Sequence, residues 1–86
     1  MEILKVYRDQ AGNPRAVTAR NNGGEFTVNF TRGWVSWAEP DVWAFPERFG
    51  LTRYTCPGHN GHVCYYGACD EIRIADLPAL IRLVSS

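Results

Sequence analysis

The sequence predicts an α+β fold: an antiparallel sheet of about five or six strands, one C-terminal helix packed on it, and a Cys/His loop before the last strand. Three observations carry this expectation. Early runs alternate apolar and polar residues with the period of two that half-buried strands require. Turn-forming residues separate those runs at short, hairpin-like intervals. The end of the chain then switches to helical spacing behind a good capping residue.

Taken in order, residues 2 to 8 are rich in Ile, Leu, Val and Tyr and read as a first strand. Asp9-Gln-Ala-Gly-Asn-Pro14 supplies turn chemistry, and Arg15 to Arg20 resumes a strand with Val17 and Ala19 on one face. Asn21-Asn-Gly-Gly24 is the strongest hairpin signal, because Asn and Gly tolerate the positive φ of tight hairpins. From Glu25 to Thr31 the chain alternates cleanly, with Phe26, Val28 and Phe30 on one side and Thr27, Asn29 and Thr31 on the other. These segments make a three-stranded meander.

Pro40 and Pro46 forbid one continuous helix or central strand through the middle of the chain. The expectation there is a short strand at Trp34 to Ala38, then a helical turn or compact loop through Trp43, Phe45 and Phe49. Leu51 to Thr55 reads as another strand leading into the Cys/His loop, and Glu71 to Ala75 alternates again. Asp76 is a suitable N-cap, Pro78 sits in the first turn, and Leu77, Leu80, Ile81 and Val84 form an i, i+3, i+4, i+7 stripe facing the sheet.

At 86 residues the chain reads as a single small domain, 1–86, without repeats or linkers. Chains of this length bury about 60 to 65% of the surface their unfolded forms expose, so a metal or a disulfide is a common supplement to the core. Nine basic and nine acidic residues cancel and are scattered, which argues against affinity built mainly on phosphate neutralisation. Lys5 is the one lysine; the other basic residues are arginines, suited to planar stacking and bidentate contacts. The N-terminus has no leader-like pattern and no stretch is long enough to span a bilayer. An odd cysteine count also fits reduced thiols, and the expected location is cytoplasmic, with no membrane partner.

Every cysteine and both histidines fall between Cys56 and Cys69. Cys56, His59, Cys64 and Cys69 form C-x2-H-x4-C-x4-C, a soft sulfur-and-nitrogen donor set of the kind that holds Zn2+ tetrahedrally. Gly58, Gly61 and Gly67 allow the tight bends such a chelate needs. His62 is surplus: an alternative ligand replacing His59, an outer partner, or a solvated loop residue. Arg53 or Arg73 is placed to offset the net negative charge of a three-thiolate site. The leading expectation is structural zinc. Reduced cysteines, or one disulfide with a spare thiol, are the plain alternative, and a cysteine-dependent enzyme with Cys56 or Cys64 as nucleophile and His59 or His62 as base is a further one.

This loop resembles the zinc knuckle of retroviral nucleocapsid proteins, C-x2-C-x4-H-x4-C, sharing its 2-4-4 spacing with the second and third ligand types exchanged. The resemblance covers the loop alone. It implies a single-stranded nucleic-acid binder in which Tyr65 and Tyr66 stack on bases.

Eight of the eleven aromatic residues lie between Phe26 and Tyr54, interleaved with Arg32, Arg48 and Arg53. Trp34, Trp37, Trp43, Phe45 and Phe49 are many large rings for a small core, although core building is the plain use of any one of them. Trp, Tyr and Arg also dominate protein-interface hot spots, and Glu39, Asp41 and Glu47 in the same stretch repel phosphates while suiting a protein partner. The function expected is therefore a non-enzymatic protein-binding module. Trp34, Trp37, Trp43, Arg32, Arg48 and Arg53, with Tyr65 and Tyr66, are its candidate contact residues. Compact chains without catalytic motifs are often inhibitors or adaptors, and a small phage-type inhibitor of host defence, like the anti-CRISPR proteins, is an expectation by analogy only.

Overall fold

A computed structural model describes residues 1–54 and 71–85 of the chain and has the expected α+β architecture. Strands β1 (Glu2–Arg8), β2 (Pro14–Asn21), β3 (Gly24–Asn29) and β4 (Trp34–Ala38) form an antiparallel meander. Strand β6 (Glu71–Ile74) then inserts between β4 and β5 (Leu51–Tyr54), so the sheet order is β1-β2-β3-β4-β6-β5. Helix α1 (Pro40–Ala44), a 3-10 turn (Pro46–Phe49) and helix α2 (Leu77–Val84) supply the second layer.

Local chemistry accounts for most of these boundaries. Asn22 (φ 50°) and Gly23 (φ 83°) both take positive φ, the requirement of a tight hairpin whose twist matches its strands. In the turn after β1, Asp9 Oδ1 accepts the backbone N–H groups of Ala11 and Asn13, at 3.0 and 2.9 Å. Strand β3 stops at Asn29, two residues before the alternation ends. There the Asn29 side chain accepts the Thr31 N–H at 3.2 Å and draws the chain into the next turn. Both Pro40 and Pro46 open their short helical segments, where a missing N–H costs nothing. Asp76 caps α2 by accepting the Ala79 N–H at 3.1 Å.

The core lies between one face of the sheet and the helical layer. Val17, Ala19, Phe26, Val28, Val35, Ala38, Leu51 and Ile72 enter it from the strands, and Val42, Phe49, Leu80 and Val84 from the other layer. Of the stripe on α2, Leu80 and Val84 are buried while Leu77 and Ile81 are half-buried. Gly24 is required at its position: a Cβ there would overlap the Phe49 ring and lie 2.8 Å from Val42 Cγ2. The Asn21 side-chain amide donates to the Phe49 carbonyl at 2.8 Å, tying the 3-10 turn to the β2–β3 hairpin. Among the described residues no helix is long and apolar enough to cross a membrane.

Candidate interaction surface

The face of the sheet turned away from the helices carries the molecule's candidate site, and a bulge in β4 creates it. Trp34 and Trp37 are three residues apart, so in a regular strand they would point to opposite faces. Pairing runs Phe26 with Ala38, Thr27 with Trp37, Val28 with Val35 and Asn29 with Trp34, with a shift between Thr27 and Val28. Ser36 is the extra residue. Its insertion puts both tryptophans outward while Val35 and Ala38, also three apart, both turn into the core.

Register across the sheet then aligns the remaining residues. One row runs Tyr7, Ala16, Asn29, Trp34, Arg73 and Thr52 over all six strands, and a second runs Lys5, Thr18, Thr27 and Trp37 over four. Tyr54 pairs with Glu71 beside them. Trp34 is 41% exposed, Trp37 50%, Tyr54 50% and Tyr7 39%. A chain of hydroxyls links three strands on this face. Thr18 Oγ1 lies 3.2 Å from the Tyr7 hydroxyl and 2.9 Å from Thr27 Oγ1, which satisfies the one buried polar side chain of the described residues.

Cations lie over these rings. The Arg73 guanidinium sits 5.8 Å from the Trp34 centroid and 5.0 Å from that of Tyr54, Arg32 lies 5.8 Å from Trp34, and Lys5 Nζ lies 4.7 Å from Tyr7. Arg73 also donates to Glu71 Oε2 at 2.8 Å, while its buried Nε has no hydrogen-bond partner among the described residues. At the far end of the same face Arg20 lies between Glu2 (3.8 Å) and Glu25 (3.3 Å), so two carboxylates there outnumber one guanidinium. Asp9, in the exposed turn after β1, has its carboxyl held below the ordinary carboxylate range, chiefly by the Asn13 backbone N–H and further by Arg15.

The expected contact residues divide between two sides of the molecule. Trp34, Trp37 and Arg32 share the outer sheet face, whereas Trp43, Arg48 and Arg53 belong to the helical side. There Arg53 donates to the Trp43 carbonyl, and the Arg48 guanidinium stacks 4.3 Å from the exposed Phe45 ring. Cys56, His59, His62, Cys64, Cys69, Tyr65 and Tyr66 lie outside the described residues. Among the described residues no group of three or more His, Cys, Asp or Glu side chains is arranged to hold a metal.

Sequence reasoning missed Tyr7, Lys5, Tyr54, Thr18, Thr27 and the role of Arg73 at this surface. Thr18 and Thr27 were signalled by their outward positions in the alternation. Tyr54 and Arg73 were not, because only the insertion of β6 beside β4 brings them to Trp34. No family model matches the chain, and no match was found among curated proteins or solved structures.

Proposed function

We propose that the protein is a non-enzymatic protein-binding module whose outer sheet face is the recognition surface. The observation that carries this reading is the placement of Trp34 and Trp37 by the β4 bulge on one exposed face, with Trp34 in the row of Tyr7, Trp37 in the row of Lys5 and Tyr54 beside them. The bulge seats Val35 and Ala38 in the core on one side, and on the other it clusters exposed rings of the kind that mark interaction sites. Tryptophan and tyrosine offer large, rigid contact areas with few rotatable bonds.

A protein partner suits the surface better than a base-stacking platform. Tyr7, Trp34 and Tyr54 each have a π-face engaged by a cation of the chain itself, and the face as a whole has no large basic excess. The test is selection from a random peptide library displayed on phage, followed by binding measurements on Trp34→Ala and Trp37→Ala proteins whose melting temperatures match the wild type. Selected peptides should lose at least about tenfold in affinity, the scale of an interface hot spot. Unchanged affinity for both variants, or failure to select any peptide, would remove the reading.

A further inference from the structure

Resting on that reading, we infer that the outer face takes an acidic peptide segment, with carboxylates on Lys5 and Arg32 and apolar side chains on Trp34 and Trp37. Charge on the aromatic part of the face is lopsided. Lys5, Arg32 and Arg73 surround the rings, and Glu71 is the acidic group paired into that group of side chains. Arg20, at the opposite end, is already held between two glutamates. Among the described residues neither Lys5 nor Arg32 forms an ion pair, and the ring contact is what positions each of them.

Ring contact leaves these cations available. The Arg32 guanidinium lies 5.8 Å from the Trp34 centroid and Lys5 Nζ 4.7 Å from that of Tyr7, and a cation held by a ring spends no N–H donor on an anion, so those donors can meet the oxygens of a carboxylate. The ring below also limits the conformations that the arginine side chain must give up on binding, which lowers the entropic cost of the contact. Geometry sets the ligand's spacing. Lys5 is on β1 and Arg32 lies in the turn two residues before β4, three strand spacings across the sheet and further offset along it, so the span is at least about 14 Å, which an extended chain crosses in no fewer than about four residues. The segment therefore carries acidic residues about four or more positions apart, with large apolar side chains next to the one that meets Arg32, because Trp34 and Trp37 lie on the strand that follows Arg32.

Peptides selected by the intact chain provide the test, read for composition and for dependence on the two cations. The expected result is enrichment in Asp and Glu at that spacing, binding that weakens as salt rises, and an affinity loss of about fivefold for each of Lys5→Glu and Arg32→Glu. Lys5→Ala and Arg32→Ala serve as milder variants, and matched melting temperatures verify that all four fold. Selected peptides that depend on the tryptophans but are neutral or basic, or that ignore both cations, would overturn the acidic ligand while leaving the binding module standing. If no peptide is selected, both readings fall. Tighter binding of a thymine oligonucleotide than of any selected peptide would overturn the inference in favour of a nucleic acid.

Discussion

Thr27 and Val28 are neighbours in β3, yet they belong to surfaces with opposite purposes. Val28 points into a layer closed by α1, the 3-10 turn and α2, where it joins Val17, Phe26 and Val35 at almost no exposure. Thr27 points to a face that no described helix covers, joined by a hydroxyl hydrogen bond to Thr18 and through it to Tyr7, and flanked by Trp37. The same strands thus supply a dry aliphatic side and a side of rings, hydroxyls and cations. The difference shows that large aromatic residues in this small protein are not chiefly core material: Phe26 and Phe49 are, whereas Trp34 and Trp37 are held outward by the backbone.

The sharpest way to break this division is to delete Ser36. Without the extra residue Val35 and Ala38 can no longer both face the core, nor Trp34 and Trp37 both face outward. Deletion should abolish the cooperative thermal transition followed by circular dichroism; a melting temperature near that of the full chain would show that the bulge does not set the faces. A smaller effect separates the faces residue by residue. Phe26→Ala should lower stability by about 4 kcal/mol in urea titration, through lost burial and the cavity left behind. Trp37→Ala, on the exposed face, should cost no more than about 0.5 kcal/mol. Similar losses for the two would erase the distinction.

Much of the fold was legible because its signals are local. The Asn22-Gly23 turn, the alternation through Phe26 and Val28, the prolines opening each short helical segment and the Asp76 cap each act within a few residues. The candidate surface depends on non-local facts. Nothing in the order of residues shows that Ser36 is a bulge, nor that β6 lies between β4 and β5, and those two facts bring Trp34, Trp37, Arg73 and Tyr54 together. For the same reason a continuous sequence belt proved to be two surfaces, with Trp43 and Arg53 on the helical side. The ligand set Cys56, His59, Cys64 and Cys69 stands on its spacing alone. Native mass spectrometry before and after chelation should show a zinc adduct that the chelator removes; an unchanged mass would dismiss it.

Thr18→Val sharpens the comparison at a lower cost. It keeps the side chain's shape but removes the hydroxyl between Tyr7 and Thr27, and should cost about 1 kcal/mol while leaving the core untouched. No measurable loss in urea titration would mean that the hydroxyl chain does not support the outer face. The smallest effect is a pH dependence. Because the folded Asp9 carboxyl titrates below its unfolded value, its contribution is present above the unfolded value and disappears as pH falls through the folded one. Wild type and Asp9→Asn should therefore differ slightly in melting temperature at neutral pH and converge in acid. A gap that widened in acid would reverse the sign.

The most direct measurement is a titration of 15N-labelled protein with a selected peptide, following the three indole N–H signals by NMR. The Trp34 and Trp37 signals should shift together with the amides of Lys5, Tyr7, Thr18 and Thr27, while Trp43 stays in place. Shifts confined to Trp43, Phe45 and α1, with Trp34 and Trp37 unmoved, would place recognition on the helical side and contradict the role assigned to the outer face.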